Sequence, residues 1–516
     1  MTEKMNGAES LVHTLVKSGA DTCFANPGTS EMHFVAALDR IPGIRCVPGM
    51  QENVVTGMAD GYGRIAGRPA VTLLHCGPGL ANGIANLHNA RKARSPVVNV
   101  VGDQATYHAG FDPPLAMDTL AAARSCSHWV DVAERPQDVG HKAAQAVAQA
   151  QRWPGRVATL ILPSDASWSP GGVVAAPVTI PPLPVIEDAA IAAAAAQLAG
   201  GRDTLLLLGG KALSARAQAA AHRIQVKTGC RLLAESIVAL QARGQGRLPL
   251  MRVPYPAPQA IDLLKDVRQI VSVCARKPVG FFAYPGLPSF HAPEDAGVTA
   301  LASVEQDGAL ALEMLADHLG CPAVAMPDVG PRPDVPKGQP SSDGFAQMLA
   351  AVMPEQAIVA DEGISFGWAF YPGSVAAPPH DWMMVTGGAI GYGMPAATGA
   401  AIAGKGRRVI NVEADGSAMY TIQALWTQAR ERLPVTTVII NNRKYQILIG
   451  EYSNVGANPG PTAMNMLDLG NPDLDFVKLA EAMGVEAARA TTLEDCAALM
   501  QQSFRKPGPF LIDLLV

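Results

Sequence analysis

Short runs of aliphatic and β-branched residues alternate along the chain with amphipathic stretches. Ala70–Leu74, Val97–Gly102, Thr204–Leu208, Val409–Glu413 and Val435–Ile440 read as strands buried on both faces, and apolar residues at helical spacing lie between such runs. This alternation predicts βαβ units and parallel sheets. Two segments interrupt it. Trp168–Val185 (WSPGGVVAAPVTIPPLPV) is rich in Pro, Gly and Val without a helical period, so it is expected to run extended. Met326–Gly344 carries Pro at almost every third position and cannot hold a helix. The expected organisation is therefore α/β, with three doubly wound parallel-sheet domains at 1–170, 185–325 and 344–516. A length of 516 residues agrees with that number.

The outer blocks echo one another. Residues 66–104 and 403–444 each run through Ala-Gly-basic, a strand, a Gly-containing turn, a helix ending in Ala-Arg, a Pro and a second strand. Composition then changes the picture. Only 16% of residues are charged while 48% are apolar, against roughly 25% charged in an average soluble protein, so much surface is expected to be hidden between domains or subunits. A net charge of −5 without a basic run argues against nucleic acid as a partner. No apolar stretch is long enough for a membrane span, and MTEKMNGAES does not read as a leader, so a cytoplasmic protein without a membrane partner is expected. Eight scattered cysteines without a CxxC pair fit free thiols better than disulfides or structural zinc.

The chemistry is concentrated in the third block. One strand ends in Glu413-Ala414-Asp415-Gly416-Ser417 and the next in Asn441-Asn442, which places Asp415 and Asn442 27 residues apart, one βαβ crossover. Both then project from the carboxyl ends of neighbouring parallel strands, where ligands of open α/β sheets bind. One carboxylate and one amide oxygen suit Mg²⁺, which takes its remaining oxygens from water and phosphate. A diphosphate is implied, with the Gly416 and Ser417 N–H groups at a helix start as its partners. Taken alone, Asp-Gly-Ser reads better as an ordinary strand-helix turn with Asp as the helix cap.

These motifs together resemble the thiamine-diphosphate-dependent 2-oxo acid decarboxylase and acetohydroxyacid (acetolactate) synthase family. Its GDG followed by about two dozen residues and NN is matched by Ala414-Asp415-Gly416 to Asn441-Asn442. The likeness extends through Asn26-Pro27-Gly28, Gln51-Glu52-Asn53, Ala59-Asp60-Gly61-Tyr62, Gly77-Pro78-Gly79 and Gly387–Ala397 (GGAIGYGMPAA). The resemblance implies a thiamine-diphosphate-binding fold with N-terminal pyrimidine-binding, central Rossmann-like and C-terminal diphosphate-binding domains. It implies Mg²⁺ on Asp415, Asn442 and the Lys444 carbonyl, and a cofactor pocket drawn from Asn26, Gly28, Ser365, Gly388, Gly416 and Ser417. Glu52 would activate the aminopyrimidine, and Ile390 would wedge the two rings into a bent form. Without the resemblance, Glu52 reads as a first-turn carboxylate and Ile390 as core. Glu52 and Asp415 lie in different blocks, so the resemblance also implies a homo-oligomer with the cofactor between subunits, a dimer at least and commonly a tetramer.

The implied substrate is a small 2-oxo acid. After loss of carbon dioxide, a proton gives an aldehyde and a second 2-oxo acid gives an acetohydroxy acid. His75, ahead of Gly77-Pro78-Gly79, matches the place of a catalytic His in benzoylformate decarboxylases. His108 lies near a His-containing loop of the synthases. Both are candidate proton carriers. Phe111-Asp112-Pro113-Pro114-Leu115 lacks the synthases' Phe-Gln pair, and Ala414 replaces the first Gly of GDG. Gly209-Gly210-Lys211 has the look of a dinucleotide turn, but FAD is not assigned from it. The readings left open are an acetolactate-synthase-like enzyme, a benzoylformate-decarboxylase-type enzyme and a non-catalytic regulatory paralogue. The last would be expected to lose Glu52, Asp415 or Asn442, and all three are present.

Overall fold

The computed structural model describes residues 4–516. They form three sheets flanked by helices. The first has six strands in the order Arg45–Pro48, Thr22–Asn26, Ala70–Leu74, Val97–Asp103, Val157–Pro163, Trp129–Val132, all parallel. The second has four parallel strands in the order Gly297–Ala302, Gln269–Val273, Thr204–Leu208, Arg231–Ala234. The third has seven, in the order Glu486–Ala490, Phe510–Leu515, Val435–Asn441, Val409–Ala414, Ile358–Glu362, His380–Met384, Gln241–Arg243. The central strands are continuously buried, as Val157–Pro163 and Val435–Asn441 are over their whole length, because helices cover both faces of a parallel sheet. No helix or strand occurs from 169 to 187, or between His318 and Ser342. Ser342–Val352 is helical from the Ser341 cap onward, so a helix begins inside the end of the second Pro-rich segment.

One strand departs from the all-parallel expectation. Gln241–Arg243, from the middle of the chain, pairs antiparallel with His380–Trp382 and closes the edge of the third sheet. Its Arg243 is fully buried, with Nε donating to Ser374 Oγ (3.0 Å), Nη1 donating to the Leu250 carbonyl (3.1 Å) and the guanidinium 3.6 Å from the Tyr371 ring centroid. A buried guanidinium needs several acceptors at once, and two stretches of chain supply them.

Helix Glu52–Ala66 packs lengthwise on helix Gly393–Ala403. The backbones approach so closely that a Cβ at Gly61 would collide with the Ala396 carbonyl, and one at Gly399 with the Met58 carbonyl. Arg64 ties this crossing together. It pairs with Asp60 (2.6 Å), donates to the carbonyls of Ala239 (3.0 Å) and Met384 (2.7 Å) and to Thr386 Oγ1 (3.1 Å), and lies 4.6 Å from the Tyr392 ring centroid. One buried side chain thus joins segments from all three blocks. The eight cysteines are free, and seven are buried. Among the described residues no helix is long and apolar enough to cross a membrane.

Candidate active site

The first sheet presents one group of candidate side chains. Strands Thr22–Asn26 and Ala70–Leu74 are neighbours, with Asn26 opposite Leu74, so Asn26 to Glu31 and His75 leave the same sheet edge together. The turn after Leu74 is sharp: Cys76 adopts φ 52°, a left-handed conformation unusual for a residue with a side chain. His75 then lies against Gly28, where its ring fills the space a Cβ would need. Its Nδ1 lies 2.9 Å from Glu31 Oε2 and 3.1 Å from Ser30 Oγ. Glu31 is buried, and it also accepts from Ser30 Oγ (2.6 Å) and the Gly28 N–H (2.8 Å). The carboxylate is acceptor-only, so it fixes the proton on Nδ1 and leaves Nε2 as the ring's acceptor nitrogen. Nε2 has no protein partner among the described residues. Burial pushes the neighbouring Cys76 thiol up to about 11, which keeps it protonated and unreactive.

Glu52 opens its helix as expected. The Gln51 side chain caps the Asn53 and Val54 N–H groups, and Asn82 Nδ2 donates to Glu52 Oε2 at 3.1 Å. A Cβ placed on Gly79 would sit 3.3 Å from Glu52 Oε1 and 3.5 Å from His75 Cβ. The two side chains therefore border one space, kept open by the absence of a side chain at Gly79. His108 is not drawn into this group. It is exposed on the four-residue helix Thr106–Ala109, its ring 6.3 Å from that of Phe111. Met117, farther along the same segment, is what reaches Gly77.

The third sheet presents a second group. Asp415 follows strand Val409–Ala414 and is buried. It accepts from the Gly416 N–H (2.8 Å) and, across to the next strand's end, from the Arg443 N–H (2.6 Å). Asp415 thus fastens the 442–444 turn, and the cap position of helix Asp415–Thr421 is Ala414. The two asparagines divide their work. Asn441 donates to buried Asp513 (2.9 Å), whereas Asn442 is half-buried at the strand end with Oδ1 accepting from the Lys444 N–H (3.1 Å). The Lys444 carbonyl accepts from the Gln446 N–H (2.9 Å), which leaves it one lone pair. Ser365 lies just beyond strand Ile358–Glu362, the neighbour of Val409–Ala414. Burial raises the Asp415 carboxyl above its ordinary value, against backbone N–H groups that lower it, and no cationic side chain pairs with it among the described residues. A buried carboxylate, an amide oxygen and a carbonyl without a cation are a donor set suited to Mg²⁺.

The loop Gly387–Gly393 lies beside this group, held from both sides. Asn89 Nδ2 donates to the Ala389 carbonyl (2.8 Å), and Asn86 Nδ2 and Thr421 Oγ1 both donate to the Gly391 carbonyl (3.0 Å each). Glu362 accepts from the N–H groups of Gly391, Tyr392 and Gly393 at 3.0, 2.8 and 2.7 Å. Ile390 is half-buried and Gly388 exposed, so Ile390 is not simply core. Burial pushes the Glu362 carboxyl up to about 7 and raises that of its neighbour Glu413 as well. Sequence reasoning missed Glu31, Glu362, Asn86 and Asn89. For Glu362 the available signal was a carboxylate closing a largely apolar strand, whereas Glu31, in the turn Thr29–Glu31, and Asn86 and Asn89, inside helix Cys76–Ala93, had none.

Within one chain no hydrogen bond links Glu52 or His75 to Asp415, Asn442 or Lys444 among the described residues. The Gly209-Gly210-Lys211 turn forms part of the wall of a separate cavity of about 570 Å³, together with Arg91, Arg94, Glu235 and Arg276. There a 3₁₀ turn, Gly210–Leu213, separates the strand from the following helix, whose cap is Ser214.

Residues 5–127 match the N-terminal TPP binding domain of thiamine pyrophosphate enzymes, and residues 363–514 match the C-terminal TPP binding domain. With the sheets and strand-end groups described above, the chain belongs to the thiamine pyrophosphate enzyme family, in the acetolactate synthase and benzoylformate decarboxylase class. It is 49% identical over 515 residues, 99% of both chains, to the putative acetolactate synthase large subunit IlvX of Mycobacterium tuberculosis. It is 30% identical to benzoylformate decarboxylase of Pseudomonas aeruginosa over 97% of both chains. Among solved structures, the thiamine diphosphate-dependent 4-hydroxybenzoylformate decarboxylase of Rhodococcus jostii RHA1 matches with a TM-score of 0.86 at 25% identity, covering 99% of this chain and 98% of that one.

Proposed function

We propose that this enzyme uses Mg²⁺ and thiamine diphosphate to decarboxylate a 2-oxo acid and releases the product as an aldehyde. The observation that carries this reading is the meeting of Glu52 and His75 over Gly79, with His75 backed by buried Glu31. Thiamine diphosphate, when bound, supplies the nucleophilic carbon and the electron sink that loss of carbon dioxide requires. Asp415, Asn442 and the Lys444 carbonyl would hold Mg²⁺. Ser365, Gly388, Ile390, Gly416 and Ser417 would seat and bend the cofactor, with Asn26 and Gly28 at the opposing edge. Glu52 would move a proton to or from the bound cofactor at the carboxylate oxygen facing Gly79, and His75 would take and return one at Nε2. A proton delivered beside the reacting carbon favours the aldehyde over a second carbon–carbon bond.

A second copy of the chain is the proposed partner. Exposed apolar residues flank both groups: Met50, Tyr107, Phe111 and Met117 near the first, and Tyr420, Leu448 and Met466 near the second. Surfaces of this kind are normally covered, and joining them would bring Glu52 of one copy toward Asp415 of the other. Eight free cysteines fit a reducing, cytoplasmic setting. The acyl-transfer reading is kept because of the IlvX likeness. The deciding experiment supplies the purified protein with thiamine diphosphate, Mg²⁺ and a panel of 2-oxo acids. Aldehyde release supports the proposal, and acetolactate from pyruvate replaces it with acyl transfer. Bound cofactor without any turnover would point to a non-catalytic paralogue.

A further inference from the structure

Four aromatic rings that the sequence reading left unused gather beside the Gly387–Gly393 loop. Tyr255 lies 5.4 Å from Phe281 and 5.2 Å from Trp368 between ring centroids, and Phe281 lies 5.1 Å from Phe282. Three of the four come from the middle of the chain. Trp368 comes from the third block, three residues after Ser365. The Phe281 ring occupies the space a side chain at Gly388 would fill, and Gly388 has φ +74°. Nearby, Tyr284 Oη donates to Glu451 (3.3 Å), which anchors the same middle segment to helix Gln446–Asn454, directly after the Lys444 turn.

The rings are packed on one side and open on the other. Phe281 is 42% exposed, Phe282 56% and Trp368 43%. Buried aromatic clusters stabilise a core, but a cluster left this open retains ring faces and edges able to meet another ring in stacked or edge-on geometry. Its place is set by contact with Gly388 and by sequence proximity to Ser365, both assigned above to the cofactor pocket. A molecule reacting at that pocket would extend its non-reacting end over these rings. A methyl group would cover little of such a wall, whereas a phenyl group would cover much of it.

We infer that Tyr255, Phe281, Phe282 and Trp368 form the specificity wall of the active site and select a 2-oxo acid with an aromatic side chain over pyruvate. This rests on the proposed function, which places a 2-oxo acid at the same pocket. The middle block then contributes directly to substrate choice.

The test compares kcat/KM for benzoylformate and for pyruvate in the holoenzyme, its Phe281→Ala, Phe281→Tyr and Trp368→Ala variants, with thiamine diphosphate affinity measured for each. The wild type should favour benzoylformate by about a hundredfold. In the two alanine variants that ratio should fall about tenfold, mainly through KM, while Phe281→Tyr should retain it. Equal losses on both substrates, or an unchanged ratio, would overturn the inference. So would an effect confined to oligomeric state or cofactor affinity. If no 2-oxo acid is turned over, the proposed function fails separately. The wall is then tested by benzoate against acetate, monitored through tryptophan fluorescence: benzoate binding lost in Phe281→Ala supports it, and absence of benzoate binding refutes it.

Discussion

Glu31 is the sharpest point at which to test the His75 assignment, because two substitutions separate its charge from its geometry. Its Oε2 receives both the Gly28 N–H and His75 Nδ1, and its Oε1 receives the Ser30 hydroxyl. In Glu31→Gln the amide oxygen can take the place of Oε2 and keep two of these contacts, with the amide nitrogen facing Ser30. The charge is lost, and the Ser30 contact reverses, with the amide N–H donating to Ser30 Oγ. A hydrogen bond to a charged group contributes about 1.5–3 kcal/mol and a neutral one about 0.5–1.5 kcal/mol. The difference of about 1 kcal/mol at the His75 bond corresponds to a five- to tenfold lower kcat. Glu31→Ala removes the contacts altogether and frees the imidazole. The expected loss then approaches that of a positioned acid–base group, about a hundredfold or more. The assay is steady-state and single-turnover decarboxylation with cofactor affinity measured in parallel. The graded order wild type, Gln, Ala should appear in the proton-transfer step. Variants within twofold of wild type, or losses wholly explained by weaker cofactor binding, would refute the role given to Glu31.

Three further outcomes are expected. If the two groups meet only across subunits, Glu52→Gln and Asp415→Ala proteins, each inactive, should regain activity when dissociated and mixed. Random pairing of dimers restores about a quarter of the sites, and absence of recovery would place the whole site within one chain. Arg64→Met leaves Asp60 buried without its partner, which should cost about 3–5 kcal/mol. The urea midpoint should fall markedly and rise again in part when Asp60→Asn is added; a single variant as stable as wild type would refute the linking role. Finally, burial holds Glu362 at about 7 against an ordinary 4.5. A raised folded value means stability that is complete below about pH 4.5 and is lost as pH rises through about 7. The apoprotein's melting temperature, compared with that of Glu362→Gln, should therefore decline more steeply between pH 5 and 8, and parallel curves would contradict it.

The strands were legible because burial on both faces leaves unbroken apolar runs, and Ala70–Leu74 and Thr204–Leu208 have the expected limits. The Asp415–Asn442 pairing was legible because a βαβ crossover fixes where both strand ends emerge. Other features had no local signal. Gln241–Arg243 is three residues long and contains an arginine, so nothing in its pattern announces a strand. Its place follows from acceptors at Leu250, Tyr371 and Ser374 that only the folded chain assembles. The helix of the third-block echo is also broken, at Ile422–Gln423, where its first-block counterpart runs uninterrupted from Cys76 to Ala93.

Glu31 shows the same division at the scale of the site. The Asn26-Pro27-Gly28 motif was visible, but Glu31, three residues farther on at the end of the turn Thr29–Glu31, carries no local signal. Its meaning depends on His75, 44 residues later, and on the adjacency of strands Thr22–Asn26 and Ala70–Leu74. Phe281 depends in the same way on Gly388, more than a hundred residues away. Residues whose chemistry is their own, such as Asp415, can be proposed from spacing. Residues that act by holding another become visible only when the fold brings the pair together, because orientation and burial are properties of contacts. For the middle block, whose Gly209-Gly210-Lys211 turn is assigned no cofactor, the specificity role proposed above rests on contacts of that kind.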